Sequence, residues 1–307
     1  MSGKVLVTGA SGFIGQYLCS ELARQSIPFV TAGRNAAVAP KADGYEFDLH
    51  NRPLSISAFD DVTCVVHLAG LAHRAARTDA IRSINFDGTI QLAKTAAEAG
   101  VEQFIFISSI HAARDSAATL TDRNAYAHFK REAEIALFAL GEQRPMRINV
   151  IRPALVYGAH PKGRLGVLCS MAERGRLPEL PEIGAMAMVS RSDIVAGVLN
   201  LMNNKQINQS IFTLTDHQQY SLRRIARAFN ASQGRVPSVR IPQGFLTALI
   251  KGMALAQHLP WLGKRLIAPE VLDGIEFCQQ GSAELPDYCP TDTLESVLLH
   301  GESTHDR

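Results

Sequence analysis

The sequence predicts an α/β fold, a doubly wound and mostly parallel sheet with helices on both faces, followed by a smaller, mainly helical lobe. Three observations predict it. Short Val- and Ile-rich runs alternate with longer stretches of helical period. A glycine-rich turn stands directly between the first such run and the first helical stretch. The alternation then changes character after Gly158. Strands separated by helices need crossover connections, which lay parallel strands side by side and cover both faces of the sheet.

In chain order, Lys4–Thr8, Phe29–Ala32, Tyr45–Phe47, Cys64–Leu68, Phe104–Ile107 and Arg147–Ile151 read as strands, because each is a short β-branched or aromatic run bounded by polar or glycine residues. Phe13–Arg24, Asp79–Ala99 and Ala125–Leu140 repeat their apolar positions at helical spacing. Beyond Gly158, Pro178 and Pro181 frame a loop, a strand Ala187–Val189 leads into a helix Asp193–Met202, a short strand covers Ile211–Leu214, and mainly helices follow to a polar tail from His300. The expected division is residues 1–160 and 161–307, with segments of the second part returning to the main sheet.

Composition narrows the function classes. The 307 residues are 46% hydrophobic and 20% charged, with 31 Lys+Arg against 29 Asp+Glu, so burial alone can fold the chain and no basic arm marks a nucleic-acid partner. The five cysteines, Cys19, Cys64, Cys169, Cys278 and Cys289, are scattered without a CxxC pair, which encodes neither a disulfide framework nor a zinc site and suits a reducing compartment. Val5-Leu6-Val7 follows Met1 too closely for a secretion signal, and a cytoplasmic protein is expected. Gly244–Gly263 is apolar but broken by Lys251, Gln257, His258 and Pro260, so it reads as a buried or interface helix, with a membrane-surface contact as the alternative and no spanning segment. The ten histidines include no HExxH and no cluster at ligand spacing, so no metal is expected, and no GxSxG motif supports serine-hydrolase chemistry.

Parallel sheets bind ligands at the carboxyl ends of their strands, and the residues that follow each strand carry the chemistry. The first strand runs into Gly9-Ala10-Ser11-Gly12-Phe13-Ile14-Gly15 and then a helix. Glycines so spaced permit a tight turn, close backbone approach to a pyrophosphate, and packing of helix on strand, while the helix N-terminus offers amide donors. Further on, Tyr126 and Lys130 share one face of a helix, and of the six tyrosines only Tyr126 has a lysine one turn later. A phenol is a poor base at neutral pH, but an adjacent ammonium favours the phenolate. Ser108 and Ser109 both stand at a strand end, where one of them would hold the reacting oxygen by a hydrogen bond while the other faces away as a structural residue.

The spacing GxxGxxG resembles the extended branch of the short-chain dehydrogenase/reductases, the NAD-dependent epimerase/dehydratase family. The likeness continues in family order through Asp48-Leu49, His67-Leu68-Ala69-Gly70, Asn85, Ser108-Ser109, Tyr126-x-x-x-Lys130 and Arg152-Pro153-Ala154-Leu155-Val156-Tyr157-Gly158. It implies a Rossmann-type dinucleotide-binding domain over 1–160 and a substrate-binding lobe over 161–307. It implies a catalytic group of Ser109, Tyr126 and Lys130. It also implies cofactor contacts from Gly9, Ser11, Gly12, Phe13, Ile14, Gly15, Arg34, Asp48, Leu49, Leu68, Ala69, Gly70, Asn85, Tyr126, Lys130 and Pro153.

Cofactor choice turns on the end of the second strand, where a carboxylate would bond the ribose of NAD. The chain reads Val30-Thr31-Ala32-Gly33-Arg34-Asn35, with no acid, so the reading leans to NADP(H), with Arg34 meeting the 2′-phosphate; NAD(H) stays open if Arg34 stacks on adenine or is solvated. Asp48 would bond the adenine amino group or cap a turn. Ile110-His111 stands where family dehydratases carry an acidic pair, which disfavours a 4,6-dehydratase; His111 either touches substrate or is a solvated loop residue.

Gly70-Leu71-Ala72-His73-Arg74 resembles a subgroup acting on UDP-linked 4-keto or 4-hydroxy sugars, which would place His73 and Arg74 with Ser109 and His111 around the substrate. Leu155 stands where nucleotide-sugar relatives often carry Asn, and Met186 or Ala187 where they often carry Arg. The expectation is therefore an NAD(P)-dependent epimerase or reductase of a nucleotide-activated sugar. Its rivals are a reductase of a non-sugar carbonyl compound and a non-catalytic NADP(H)-binding subunit. The family likeness also implies a homodimer through the helices Asp79–Ala99 and Ala125–Leu140.

Overall fold

The computed structural model describes residues 3–34, 44–71, 77–113, 120–121, 124–237, 239–246, 248 and 282–303. Seven strands form one parallel sheet in the order β3-β2-β1-β4-β5-β6-β9: β1 (Lys4–Thr8), β2 (Phe29–Gly33), β3 (Gly44–Glu46), β4 (Val62–His67), β5 (Gln103–Ile107), β6 (Arg147–Pro153) and β9 (Ser210–Leu214). The order reverses beside β1, which pairs with β2 on one side and β4 on the other, and this reversal opens the crevice in which doubly wound sheets hold ligands. The strands β5 and β6 are buried almost throughout, as covered parallel strands must be. Leu6, Val65, Phe104, Phe106 and Val150 from the sheet meet Leu92, Ala93, Ala133 and Leu137 from the helices in one core.

The helices of this part are α1 (Phe13–Arg24), α2 (Thr78–Arg82), α3 (Gly88–Glu98) and α4 (Ala125–Gln143). The single helix expected over Asp79–Ala99 is interrupted: α2 and α3 are joined by a π-helical turn, Ser83–Asp87. The cause lies in Asn85, which is fully buried and pairs with the Leu71 backbone, its Oδ1 accepting from Leu71 N at 2.7 Å and its Nδ2 donating to Leu71 O at 3.0 Å. A widened turn is the usual way to aim one helical residue at a site. Gly88, next in line, lets α3 pass the backbone of Leu49, since a Cβ there would lie 2.4 Å from Leu49 O.

The chain divides into two compact units, Met1–Pro153 with Ile194–Leu214 and Gln279–Cys289, and Ala154–Asp193 with Thr215–Cys278 and Pro290–Arg307. The first boundary falls between Pro153 and Ala154, ahead of residue 160, because Pro153 still belongs to β6 and pairs with Leu214. The second unit also has a sheet of its own, β10-β8-β7, built from β7 (Leu155–Tyr157), β8 (Met186–Ser190) and β10 (Gln219–Tyr220). Two of these strands were not expected, because three- and two-residue strands leave no alternation to read. The helices α5 (Gly163–Glu173), α7 (Leu222–Ser232) and α8 (Leu294–His300) belong to the same unit, while α6 (Arg191–Asn203) carries the chain back toward β9.

Tyr157 and Tyr220 are fully buried in the second unit, and both hydroxyls lie against one oxygen of Asp216, at 2.8 and 2.5 Å. Burial first, then the neighbouring acid, pushes both phenols far above their ordinary range; burial likewise raises the Asp216 carboxyl. Asp292 draws in the chain end, accepting from Ser303 N at 3.2 Å and Ser303 Oγ at 2.6 Å.

Among the described residues no helix is long and apolar enough to cross a membrane, and no group of His, Cys, Asp and Glu could hold a metal ion. Of the Gly244–Gly263 run, Leu246 is buried against Leu222 and Phe245 is exposed; nearly all of the remainder lies outside the described residues.

Candidate active site

The loop after β1 is drawn tight by its glycines. Gly9 takes φ +73°, which L side chains rarely adopt, and a Cβ there would stand 2.7 Å from Ala69 N. Gly12 N donates to Gly9 O at 2.9 Å, and a Cβ on Gly15 would fall 2.2 Å from that same oxygen. The helix α1 begins at Phe13 behind an N-cap glycine, Gly12, which has no side chain to cap it. Ser11 is exposed and Gly12, Phe13 and Ile14 partly so. A dinucleotide pyrophosphate fits this cradle, whose glycines let phosphate oxygens approach the backbone at a helix N-terminus.

Around the neighbouring strand ends, Arg34 is exposed just past β2, and no carboxylate stands between Phe29 and Arg34. Asp48 caps a turn: its Oδ1 accepts from His50 N at 2.9 Å and Asn51 N at 3.1 Å. That is the turn-capping alternative raised by the sequence, and it engages one of the two carboxylate oxygens. Beyond β4, Leu68 N donates to Thr8 O at 3.2 Å and Ala69 N to Thr8 Oγ1 at 3.3 Å, which lashes this strand end to the glycine loop.

Gly70, Asn85 and Lys130 converge from three elements. A Cβ on Gly70 would lie 3.0 Å from Asn85 Oδ1 and 3.5 Å from Lys130 Nζ. Lys130 is 4% exposed, donates to Ile107 O at 2.8 Å, and sits 4.4 Å above the Phe106 ring. Burial lowers its amine to about 8, against the opposing pull of Glu134. Tyr126, one turn earlier on α4, is partly exposed. Ser109 follows β5 and its Oγ accepts from His111 N at 3.3 Å; His111 lies in the short turn Ile110–Ala113, against which α4 packs. Pro153, also expected at the cofactor, is buried at the end of β6. His73 and Arg74 lie outside the described residues.

Two polar groups beneath the site escaped the sequence. His67 is fully buried, with Nδ1 2.7 Å from Thr8 Oγ1 and Nε2 3.0 Å from Thr89 Oγ1, and burial lowers it to about 3. Glu134 is 2% exposed and accepts from Ser108 Oγ at 2.5 Å and from Arg152 at 3.0 and 2.5 Å. The available signal was positional: Glu134 extends the Tyr126–Lys130 face of α4 by one more turn, and Arg152 interrupts an apolar strand.

The model of the NAD dependent epimerase/dehydratase family matches residues 5–206. The chain belongs to the NAD dependent epimerase/dehydratase family. It is an extended short-chain dehydrogenase/reductase enzyme, and its seven-stranded parallel sheet is a Rossmann-type fold.

Within and around the family, the chain is 29% identical over 248 residues to a UDP-glucose 4-epimerase of Vibrio cholerae, covering 74% of this chain and 75% of that one. It is 27% identical over 253 residues to a ceramide reductase of Caulobacter vibrioides, covering 80% and 76%. Among solved structures, a UDP-glucuronic acid 4-epimerase from Bacillus cereus in complex with NAD superposes with TM-score 0.72 at 17% identity over 96% of both chains, a likeness of fold.

Proposed function

We propose that this epimerase/dehydratase-family enzyme moves a hydride at the 4-position of a nucleotide-diphosphate sugar, by 4-keto reduction or 4-epimerisation, with Ser109, Tyr126 and Lys130 as its catalytic group. The observation that carries the reading is Lys130, a buried amine held at Ile107 O one helical turn from Tyr126 and beside Gly70 at the β4 end. The Vibrio cholerae relative supports the substrate class.

The bound dinucleotide supplies or accepts the hydride. In the reductive direction the Tyr126 hydroxyl gives its proton to the carbonyl oxygen and becomes phenolate, which the Lys130 ammonium stabilises. Ser109 donates a hydrogen bond to the same oxygen and fixes the carbon it is bonded to. Oxidation runs the same proton path backwards, with Tyr126 phenolate as the base. Asn85 holds the Leu71 backbone and so shapes the loop beyond β4. His111 borders the substrate beside Ser109, while His73 and Arg74, expected from the sequence to join it, lie outside the described residues. Gly9 to Gly15 take the pyrophosphate, Asp48 and Leu49 the adenine, and Leu68, Ala69, Gly70 and Pro153 line the nicotinamide side. Arg34 favours NADP(H), because a guanidinium suits a 2′-phosphate and no carboxylate competes for the ribose.

Leu155, 40% exposed where nucleotide-sugar relatives often carry Asn, supports a second reading, reduction of a non-sugar carbonyl compound, and the Caulobacter vibrioides relative is in keeping with it. The test is to release any bound nucleotide from purified protein, identify it by mass spectrometry, and assay UDP-sugars, their 4-keto forms and simple ketones with NADPH and NADH. Retained NAD identifies an epimerase cycle and overturns the role given to Arg34. An emptied protein that uses NADPH identifies a reductase. Turnover of Tyr126→Phe at the wild-type rate would sink the mechanism.

A further inference from the structure

The face of α4 that carries Tyr126 and Lys130 ends in Glu134, and the three residues are spaced one turn apart. Glu134 is sealed in the first unit with partners on two strands. Ser108 Oγ donates to its Oε1 at 2.5 Å, Arg152 Nε donates to Oε1 at 3.0 Å, and Arg152 Nη2 donates to Oε2 at 2.5 Å. Ser108 follows β5 directly after Ile107, whose carbonyl receives Lys130, and Ser108 N donates to Ile151 O on β6 at 2.7 Å. Glu134 therefore ties α4 to the strand ends at which Lys130 is anchored.

A buried ion pair is not explained by stability alone, because desolvation offsets most of the Coulomb gain. This pair lies under an ammonium that the proposed chemistry needs charged. The charged and titratable groups around Lys130 among the described residues are Tyr126 and Glu134 on its own helix and His67 on β4, which is held neutral by burial, while Arg152 on β6 pairs with Glu134. Asn85 and Phe106, the other side chains near the amine, carry no charge. Glu134 is the single anion in this set apart from any Tyr126 phenolate.

We propose that Glu134 is the positioning residue of the catalytic lysine: it supplies the counter-charge of the buried Lys130 ammonium, while Arg152 and Ser108 fix its carboxylate and lock α4 against β5 and β6. The inference rests on the catalytic reading of Lys130 for its meaning in turnover, but the coupling itself is a property of the fold. Without Glu134 the amine is left with its burial, which favours loss of its proton.

The experiment is a pH titration of protein labelled with 13Cε-lysine, followed by NMR, with the Lys130 signal assigned through Lys130→Arg. Glu134→Gln alone leaves Arg152 buried without a partner, so the decisive variant is Glu134→Gln/Arg152→Met, which removes both charges and keeps an acceptor for Ser108. The Lys130 midpoint is expected near 8 in the wild type and lower by about one pH unit in the double variant. Ser108→Ala, which keeps both charges, is expected to leave it in place. An unchanged midpoint in the double variant, or an equal shift in Ser108→Ala, would overturn the proposal. The alkaline limb of kcat is expected to follow the midpoint downward. If the midpoint moves and that limb does not, the coupling stands and the catalytic reading of Lys130 fails.

Discussion

Thr8 Oγ1 and His67 Nδ1 lie 2.7 Å apart inside the sheet, joining the strand that leads into the glycine loop to the strand that leads to Gly70. Burial holds His67 neutral, down to about 3 from an ordinary value of 6.5. The unfolded chain therefore binds a proton that the native state refuses between these values, and the stabilisation is complete above 6.5 and lost as pH falls toward 3. Urea unfolding from pH 7 to pH 4 should show stability falling with a steeper slope in the wild type than in His67→Asn, whichever is more stable at pH 7. Equal slopes would mean that His67 takes up its proton without unfolding.

Gly15→Ala should empty the cofactor site, because the new Cβ would stand 2.2 Å from Gly9 O and the loop must open to admit it. Nucleotide affinity measured by calorimetry is expected to fall at least about tenfold, which corresponds to about 1.4 kcal/mol. Native-like affinity would show that the pyrophosphate does not sit on this turn.

Lys130→Met keeps the length of the side chain but removes the ammonium and its bond to Ile107 O. With the phenolate of Tyr126 unsupported, turnover should drop by about 100-fold or more, with the loss larger in kcat than in substrate KM. Steady-state kinetics at saturating nucleotide check this.

Arg34→Glu replaces the group offered to a 2′-phosphate with one that repels it. The ratio of kcat/KM for NADPH over NADH should fall by more than about tenfold. A ratio that does not move would place Arg34 in solvent.

Asp216→Ala would leave Tyr157 its bond to Asp292 O at 2.9 Å but would take from the Tyr220 hydroxyl the acceptor of its proton, with only Leu294 N still donating to it. A buried donor left without an acceptor costs about 1–3 kcal/mol, and a loss of that size is expected in chemical denaturation. Asp216→Asn, which retains one acceptor, should recover part of it.

The strands of the first unit and their order of appearance were readable because parallel strands buried on both faces are continuous β-branched and aromatic runs, such as Phe104–Ile107. The glycine loop was readable because its spacing serves a backbone requirement that only glycine meets, as the positive φ of Gly9 shows. Tyr126 and Lys130 were readable as a pair because helical spacing is local. The π-helical turn at Asn85 was not, since its cause is the backbone of Leu71 across the site. Asp48 shows the limit from the other direction: one carboxylate at a strand end suits an adenine contact and a turn cap equally, and only the positions of His50 N and Asn51 N show that it caps.

By itself, then, the sequence determined the sheet-and-helix alternation, the tight glycine turn after β1 and the Tyr126–Lys130 face, all of which follow from periodicity and from what single residue types permit. The tertiary structure alone decided that Glu134 faces Arg152 and Ser108, that His67 bridges Thr8 and Thr89, and that Asp216 serves two tyrosines. The physical reason is common to all three. A buried polar group must find its partner wherever the chain brings one, and apart from Tyr220, four residues from Asp216, the partners here stand 18 to 59 residues away, beyond the reach of any local pattern.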